Sequence, residues 1–536
     1  MRITFVALGW EQLSISLLSA IAKTQGHDVH LAFSVSLFND RSHLNIPSLA
    51  PFFDDTQDVI QAIKHQRPDV LAFSVLTANY QWMLKVAQAA KALNPRIQVI
   101  FGGVHPSAVP ENVLSKPHVD YVVVGEGEVA FPLILDAIER GGPSGPIPNT
   151  RYKNSRGEII QGPQTGFIQD LDSLPVFDKT IWEDYMQFRE TYITMASRGC
   201  PYRCTFCFNN FFANLPEGPK GKYVRLRSPE HVMHELRITK RRYRPQMIEF
   251  FDDVFTVDKK WLKTFLDLYK KEIKVPFQCF THVNFLDEET VRMMAEAGSF
   301  SFQIGIQSMD DHFKRTELKR YERTDQIEKT LSWMRKYNVK AKFDHMLGLP
   351  GEAMEAQETA RQFYIEHPPY NIQTYWTKLQ PGTEIVRQAL QLGLISPEEI
   401  SRINEGTTDC DIYSNSNGHV DPVKTRLYKA YEITFKLIPH LPKFMRRRFN
   451  PRFLRHLPKP AVTFLCYFID IFVGLLKFSP DHILYAKYYF FHMGRFGIKK
   501  LGFKAPSATI PLDKSSFSWS VPFSVSRKEV LTIHRP

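Results

Sequence analysis

Cysteine is scarce in this 536-residue chain, and three of its six cysteines fall within eight residues. That distribution excludes the disulfide framework of a small secreted protein and suits a reducing compartment. Long apolar runs are also missing. The run Ala461–Leu476 has sixteen residues with Asp470 inside it, whereas a bilayer-spanning helix needs about 20. The opening residues, Met1 to Gly9, lack the apolar core and cleavage site of a signal peptide. Internal repeats and low-complexity tracts are absent, which excludes solenoid and fibrous designs. An excess of one charge is lacking over most of the chain. The net charge of +12 sits wholly in residues 436–504, where 14 Lys and Arg face only Asp470 and Asp481. The remainder balances 54 basic against 54 acidic residues, so the body carries no basic footprint and no nucleic-acid partner is expected.

What is present is strand–helix alternation, over a length that suggests about three folding units. In residues 1–140 apolar strands read Ile3–Leu8, Val29–Phe33, Val70–Val75, Gln98–Phe101 and Tyr121–Val124, with helical patterns such as Trp82–Leu93 between them. This predicts a parallel, doubly wound sheet, whose ligands bind at the carboxyl ends of the strands. The Gly- and Pro-rich stretch 141–148 reads as a linker, and 150–190 as a hairpin, turning at Asn154-Ser-Arg-Gly157, plus a connector. A second alternating region, 191–395, offers strands Tyr192–Ala196, Met247–Phe251, Phe277–Val283, Phe300–Ile306, Ala341–Leu347 and Ile372–Thr377. Six such units predict an open parallel barrel. One of its helices should start at Ser228-Pro229, a serine cap followed by a first-turn proline. Residues 400–436 read as an irregular polar stretch. Arg225, Arg227 and Lys240-Arg-Arg242 read as a solvated helix end.

The chemical signal is Cys200-Pro-Tyr-Arg-Cys204-Thr-Phe-Cys207, in a loop directly after a strand and behind Arg198-Gly199. Three thiolates at this spacing can each bind a different iron of one 4Fe–4S cube, leaving the fourth iron without a protein ligand. That open iron can chelate the amino and carboxylate groups of S-adenosylmethionine. Structural zinc would want a fourth ligand, and none follows at zinc-finger spacing.

CxxxCxxC with an aromatic before its last cysteine resembles the signature of the radical S-adenosylmethionine superfamily. The flanking sequence, from about residue 1 to about residue 395, is similar to that superfamily's cobalamin-binding branch. The likeness includes Glu249-Phe-Phe-Asp-Asp253 at the second barrel strand and Ile304-Gly-Ile-Gln-Ser308 at the fourth. It continues with Met346-Leu-Gly-Leu-Pro-Gly-Glu352 at the fifth and Pro381-Gly-Thr383 after the sixth. The resemblance implies a Rossmann-like cobalamin domain (1–140), a linker and hairpin (141–190), a partial (β/α)6 TIM-like barrel (191–395) and a basic, mostly helical C-terminal region (396–536). It makes Cys200, Cys204 and Cys207 the cluster ligands, and Phe206, Asp252, Asp253, Gln307 and Ser308 contacts of the cosubstrate. His282, with Gln278 and Asn284 on the polar face of the third strand, stands near substrate or serves as a core histidine.

In the first region Ser74-Val-Leu76 and Gly102-Gly103 each follow a strand. They resemble the serine and paired glycines that line the slot for cobalamin's nucleotide tail, where a Cβ would intrude. Val124-Gly-Glu-Gly-Glu128 is also similar to the family. The DxHxxG sequence that gives cobalt a histidine is missing, since the matching loop reads Leu8-Gly-Trp-Glu-Gln-Leu13. Base-off cobalt without histidine is therefore expected, and His27 and His30 lie beyond the loop.

The cofactors implied are a 4Fe–4S cluster, S-adenosylmethionine and cobalamin, with electrons from a reductant such as flavodoxin or ferredoxin. The activity implied is methylation of an unactivated carbon on a small-molecule or lipid-like substrate. The alternatives are a radical cyclase or rearrangement enzyme without methyl transfer, and a non-catalytic cobalamin or redox sensor. The basic stretch from Met445 to Lys459 beside the apolar run reads either as a peripheral contact with an anionic membrane surface or as a packed helical domain, with nucleic-acid binding a third and weaker reading of the charge. The location expected is cytoplasmic, with peripheral attachment to the inner membrane surface under the first reading.

Overall fold

The computed structural model describes residues 1–40, 44–215, 221–408, 419–456 and 480–513, with scattered positions between 461 and 474. Two parallel sheets organise the chain. The first has strands β1 Arg2–Leu8, β2 Asp28–Ser34, β3 Val70–Ser74, β4 Gln98–Gly102 and β5 Tyr121–Val123 in the order β2-β1-β3-β4-β5, all parallel. Their near-continuous apolar sequences suit burial on both faces, and Ile3, Phe5, Val6, Val70, Leu71 and Val99 are all enclosed. The expected hairpin forms from β6 Thr150–Lys153 and β7 Ile159–Gln161, and it extends this sheet, since β6 pairs antiparallel with β5.

A short ribbon follows, β9 Ser197–Arg198 with β10 Arg225–Leu226, after β8 Thr191–Thr194. The second sheet then adds β11 Met247–Phe250, β12 Phe277–Thr281, β13 Ser299–Gln307, β14 Lys340–Leu347 and β15 Asn371–Trp376. Its order, β8-β11-β12-β13-β14-β15, follows the sequence, every pairing is parallel, and the end strands do not pair with each other. This is the open six-stranded barrel the sequence predicts. The helix Pro229–Arg242 starts at Ser228, whose hydroxyl accepts from the His231 amide, a cap worth about 1 kcal/mol.

The two units share a core. Ile3, Phe5 and Phe131 of the first belong to the same apolar cluster as Tyr192, Ile248 and Phe343 of the second. The connector between them is tied down by buried polar contacts. Lys179 pairs with Glu11, Ser19 donates to Asp178 at 2.6 Å, and the Trp182 indole donates to Ser16 at 2.9 Å.

Two expectations are corrected. The described residues within 400–436 are largely helical, since Pro397–Asn404 is a helix and Pro422–Leu437 is another whose stretch from Tyr428 to Lys436 is buried. Its charges mislead in the sequence, since Glu432 is enclosed with Lys429 and Lys436 and accepts from the Trp376 indole. Arg225, Arg227 and Arg242 are also buried. Each has a carboxylate partner: Arg225 and Arg242 reach Glu126 and Glu183 on distant segments, and Arg227 reaches Glu235 on the helix that follows it. Cys410 lies outside the described residues, as does much of Ala461–Leu476, including Asp470. No described helix is long and apolar enough to cross a membrane.

Candidate functional site

The cysteine loop leaves β9 at Gly199, which has φ +84; a Cβ there would stand 2.3 Å from the Tyr223 carbonyl oxygen. Cys204 is buried, and Cys200 and Cys207 are half-buried. Desolvation pushes the Cys200 thiol up to about 12 and the Cys207 thiol to about 11, a preference for the neutral thiol. A bound cation reverses that preference and takes them as thiolates. Among the described residues no three His, Cys, Asp or Glu converge on a point that a single metal ion could fill. A cubane takes one thiolate per iron, so its ligands stand apart. The chemistry of the donor set, three thiols in one short loop with no fourth ligand at zinc-finger spacing, fits an iron–sulfur cluster.

The sequence reading did not single out Arg320 as a partner of this loop. Its guanidinium stands 3.7 Å from the Cys204 sulfur, donates to the Gly305 carbonyl at 2.6 Å, and donates to Glu322 at 2.7 Å. Burial alone would raise the Glu322 carboxyl, but Arg320 and His282 hold it down to about 2. His282 lies 3.2 Å from Glu322 and under the Tyr202 ring at 4.1 Å. It is a hydrogen-bonded core histidine beside the loop.

The barrel rim separates the two expected carboxylates. Asp252 is enclosed, accepts from the Ala196 amide at 3.1 Å and binds the Ser197 hydroxyl; desolvation pushes it up to about 6. Its oxygens accept from the segment leading into the cysteines and tie it to that loop. Asp253 is exposed and accepts from the Asn209 amide at 2.8 Å. Gln307 has φ +65 at a bulge in β13, with its amide over Gly305, a strained backbone of the kind that collects at functional rims. Ser308 is buried and hydrogen-bonded to Glu352. Phe206 packs partly buried against a cluster that includes Leu379 and Ile385.

The concave face below is polar. Gln278 donates to Glu249 at 2.5 Å and accepts from Ser301 and Lys342. Gln303 donates to Asp344 at 3.0 Å and to Gln373 at 2.9 Å, and Tyr375 donates to Gln373 at 2.8 Å. Desolvation lifts Asp344 to about 7.

On the first sheet, Ser74 stands at the carboxyl end of β3, with its hydroxyl 3.0 Å from that of Ser14. A Cβ on Gly103 would sit 2.8 Å from the Val75 backbone, at φ +107, whereas Gly102 would meet only ordinary contacts. Backbone packing therefore already demands Gly103, whatever else lies nearby. His27 lies at the far end of the sheet, 3.4 Å from the chain's amino group. His105 is at the rim but enclosed, bonded to Thr77 at 3.1 Å and packed on Tyr80 at 4.2 Å. Trp10, in the loop lacking histidine, stacks on Tyr488 at 4.3 Å.

The two rims are clasped together. Arg198, two residues before Cys200, donates to Glu126 at 3.1 Å and to Glu128 at 2.6 Å. Arg225 holds Glu126 as well, at 2.9 Å. Leu215, just beyond the cysteines, is buried in the first unit's core, with Phe211 and Phe212 against it. A Cβ on Gly382 would lie 3.1 Å from the Phe211 ring and 3.2 Å from Ala108. Sequence reading flagged Arg198-Gly199 and the Val-Gly-Glu-Gly-Glu run separately. Their pairing across some seventy residues has no local signal.

Two family descriptions match the chain, "B12 binding domain" over residues 3–135 and "Radical SAM superfamily" over residues 195–363. An uncharacterized methyltransferase of Pyrococcus horikoshii is 26% identical over 71% of this chain and 82% of its own length. The hopanoid C-3 methylase of Methylococcus capsulatus is 26% identical over 71% of this chain and 69% of its own. The fold is shared with the cobalamin-dependent S-adenosylmethionine radical enzyme OxsB, at TM-score 0.61 and 15% identity, covering 94% of this chain and 75% of that one. With both matched regions in place and their rims clasped by Arg198, the chain belongs to the cobalamin-binding branch of the radical S-adenosylmethionine enzymes.

Proposed function

We propose that this protein methylates an unactivated carbon of a lipid-like small molecule that offers a polar group. The observation that carries this reading is the clasp of Arg198 on Glu126 and Glu128. It fixes the cysteine loop against the carboxyl end of the first sheet, so that groups held on the two rims face a common space. The names of the two methyltransferase relatives add support. When bound, the cofactors supply reductive cleavage of S-adenosylmethionine to a carbon radical, and a methyl group carried on cobalt.

The protein's own part is positioning. Cys200, Cys204 and Cys207 would hold the cluster, with Arg320 placing a fixed positive charge beside Cys204. Phe206, Asp253, Gln307 and Ser308 would line the S-adenosylmethionine site, and Asp252 would keep the loop in register. Ser74, Gly102 and Gly103 would border the cobalamin tail, without a histidine for cobalt. Gln303, Asp344, Gln373 and Tyr375 would receive the substrate's polar group, because they lie on the concave face of the barrel. Electrons would come from a flavodoxin- or ferredoxin-type reductant.

The test is anaerobic reconstitution with cobalamin, S-adenosylmethionine and a reductant. Equal yields of 5′-deoxyadenosine and S-adenosylhomocysteine are expected with substrate. Formation of 5′-deoxyadenosine without S-adenosylhomocysteine would replace methyl transfer by cyclase or rearrangement chemistry. Absence of both would leave a sensor.

A further inference from the structure

The C-terminal region divides its basic and apolar residues between two tasks. The helix Pro480–Lys500 turns Tyr488, Tyr489, His492 and Arg495 inward. Tyr488 donates to the Gly9 carbonyl at 2.7 Å, and Arg495 lies over the Tyr185 ring. That element serves the fold.

The described positions from 461 to 474 are helical and behave differently. Cys466 and Ile469 are buried against Ile433 of the helix Pro422–Leu437. Away from them, Phe464, Phe468 and Phe472 are 69%, 47% and 47% exposed. Their i, i+4 spacing makes a continuous ladder, with ring centroids 6.0 and 5.3 Å apart. Phe444 and Phe453, in segments just before, are also exposed, and so are Lys443, Arg447 and Arg448. Single exposed apolar residues are ordinary, but an aromatic row with neighbouring cations is a binding surface.

We infer that the Phe464–Phe468–Phe472 ladder, with the cationic helix Lys443–Arg448, docks this enzyme on an anionic phospholipid surface. The charge selects that occupant. Residues 436–504 hold 14 basic and two acidic residues on an otherwise neutral chain, which opposes pairing with a second copy of the same surface. The rings select a bilayer over a nucleic acid, since they can sink into the interface between headgroups and acyl chains while the cations stay with the phosphates. This surface is independent of the chemistry proposed above, so its test requires no activity.

The full-length protein should co-sediment with phosphatidylcholine vesicles containing roughly one-third phosphatidylglycerol, and far less with phosphatidylcholine alone. Raising salt to about 0.5 M should weaken binding by about tenfold or more. The variant carrying Phe464→Gln, Phe468→Gln and Phe472→Gln should lose about tenfold or more at low salt. In Phe468→Trp, a variant that keeps an aromatic ring in the ladder, tryptophan emission should shift to the blue on adding vesicles and be quenched by brominated lipid. Unshifted emission in the presence of bound vesicles would overturn the inference. So would vesicle binding that survives loss of the three rings, or a dimer in sedimentation equilibrium that their loss dissolves.

Discussion

The two parallel sheets obey the same connection rule but leave different surfaces for chemistry. In the first, helices cover both faces, and side chains such as Val6, Leu71 and Phe101 are packed out of reach. Only the loops at its carboxyl edge can meet a ligand. In the second, one face stays concave and carries Glu249, Gln278, Gln303, Lys342 and Asp344. The first sheet can hold a cofactor by its edge, whereas the second can enclose a substrate as well. The difference teaches that one connection rule leaves a ligand only loops at the first sheet and a whole polar side-chain face at the second.

Removing the cluster ligands should break the barrel's half of the comparison outright. Cys200→Ala, Cys204→Ala or Cys207→Ala should each leave the anaerobically reconstituted protein without its roughly four irons per chain and without cleavage of S-adenosylmethionine. The enclosed Cys279 changed to Ala should keep both. A Cys207→Ala protein that still forms 5′-deoxyadenosine would refute the ligand assignment.

Next comes the clasp. Arg198→Ala should leave iron and cobalamin content near normal while methylated product per 5′-deoxyadenosine falls by about 10²-fold, the scale of a 1 Å misplacement. Arg198→Lys should recover part of it. If cleavage and methylation fall together, Arg198 serves the cluster loop alone.

Gly103→Ala tests the first sheet's edge. The added methyl meets the Val75 backbone, so destabilisation of about 1–3 kcal/mol is expected in thermal unfolding. Cob(II)alamin bound to the unaltered protein should show no nitrogen splitting in its electron paramagnetic resonance spectrum, because neither His27 nor the enclosed His105 is presented to a ligand at the rim. Such splitting would mean a nitrogen on cobalt, from a histidine or from cobalamin's own benzimidazole, and would refute base-off binding.

The smallest effect is one of pH. Glu352 donates no charge to the fold, because burial pushes it up to about 8. Unfolded, it titrates near 4.5, so between these values the folded chain holds the extra proton and stability falls as pH rises. Glu352→Gln should flatten the unfolding free energy across that window, by up to about 1.4 kcal/mol per pH unit. His345 runs the other way. Burial lowers it to about 4, so its share of stability grows between pH 4 and 6.5. An unchanged pH profile in Glu352→Gln would mean that the carboxyl is ionised in the fold.

Much of this was legible because period and punctuation are local properties. Strand runs such as Ile3–Leu8 and the Ser228-Pro229 cap read directly, and the cysteine spacing states its chemistry. The partners of buried charges were not legible. Arg225, Arg227 and Glu432 look solvated in sequence. Arg225 meets Glu126 across 99 residues, and Arg227 and Glu432 pair with nearby charges on helices whose burial the sequence does not announce. Asp252 and Asp253 are neighbours with opposite fates, since in the turn after β11 one faces Ala196 and Ser197 and the other is exposed beside Asn209. Gly103 was legible as a constrained position, but not for its immediate reason, the approach of Val75.

The bond from Tyr488 to Gly9 joins residues 479 positions apart, with Trp10 stacked beneath the same ring. On a ribosome adding about 5–20 residues per second, the first strand waits roughly half a minute to a minute and a half for that tyrosine. Until Tyr488 is made, the loop after β1 lacks this cover. Nascent chains arrested before residue 480 should therefore hold the Trp10 indole open to water.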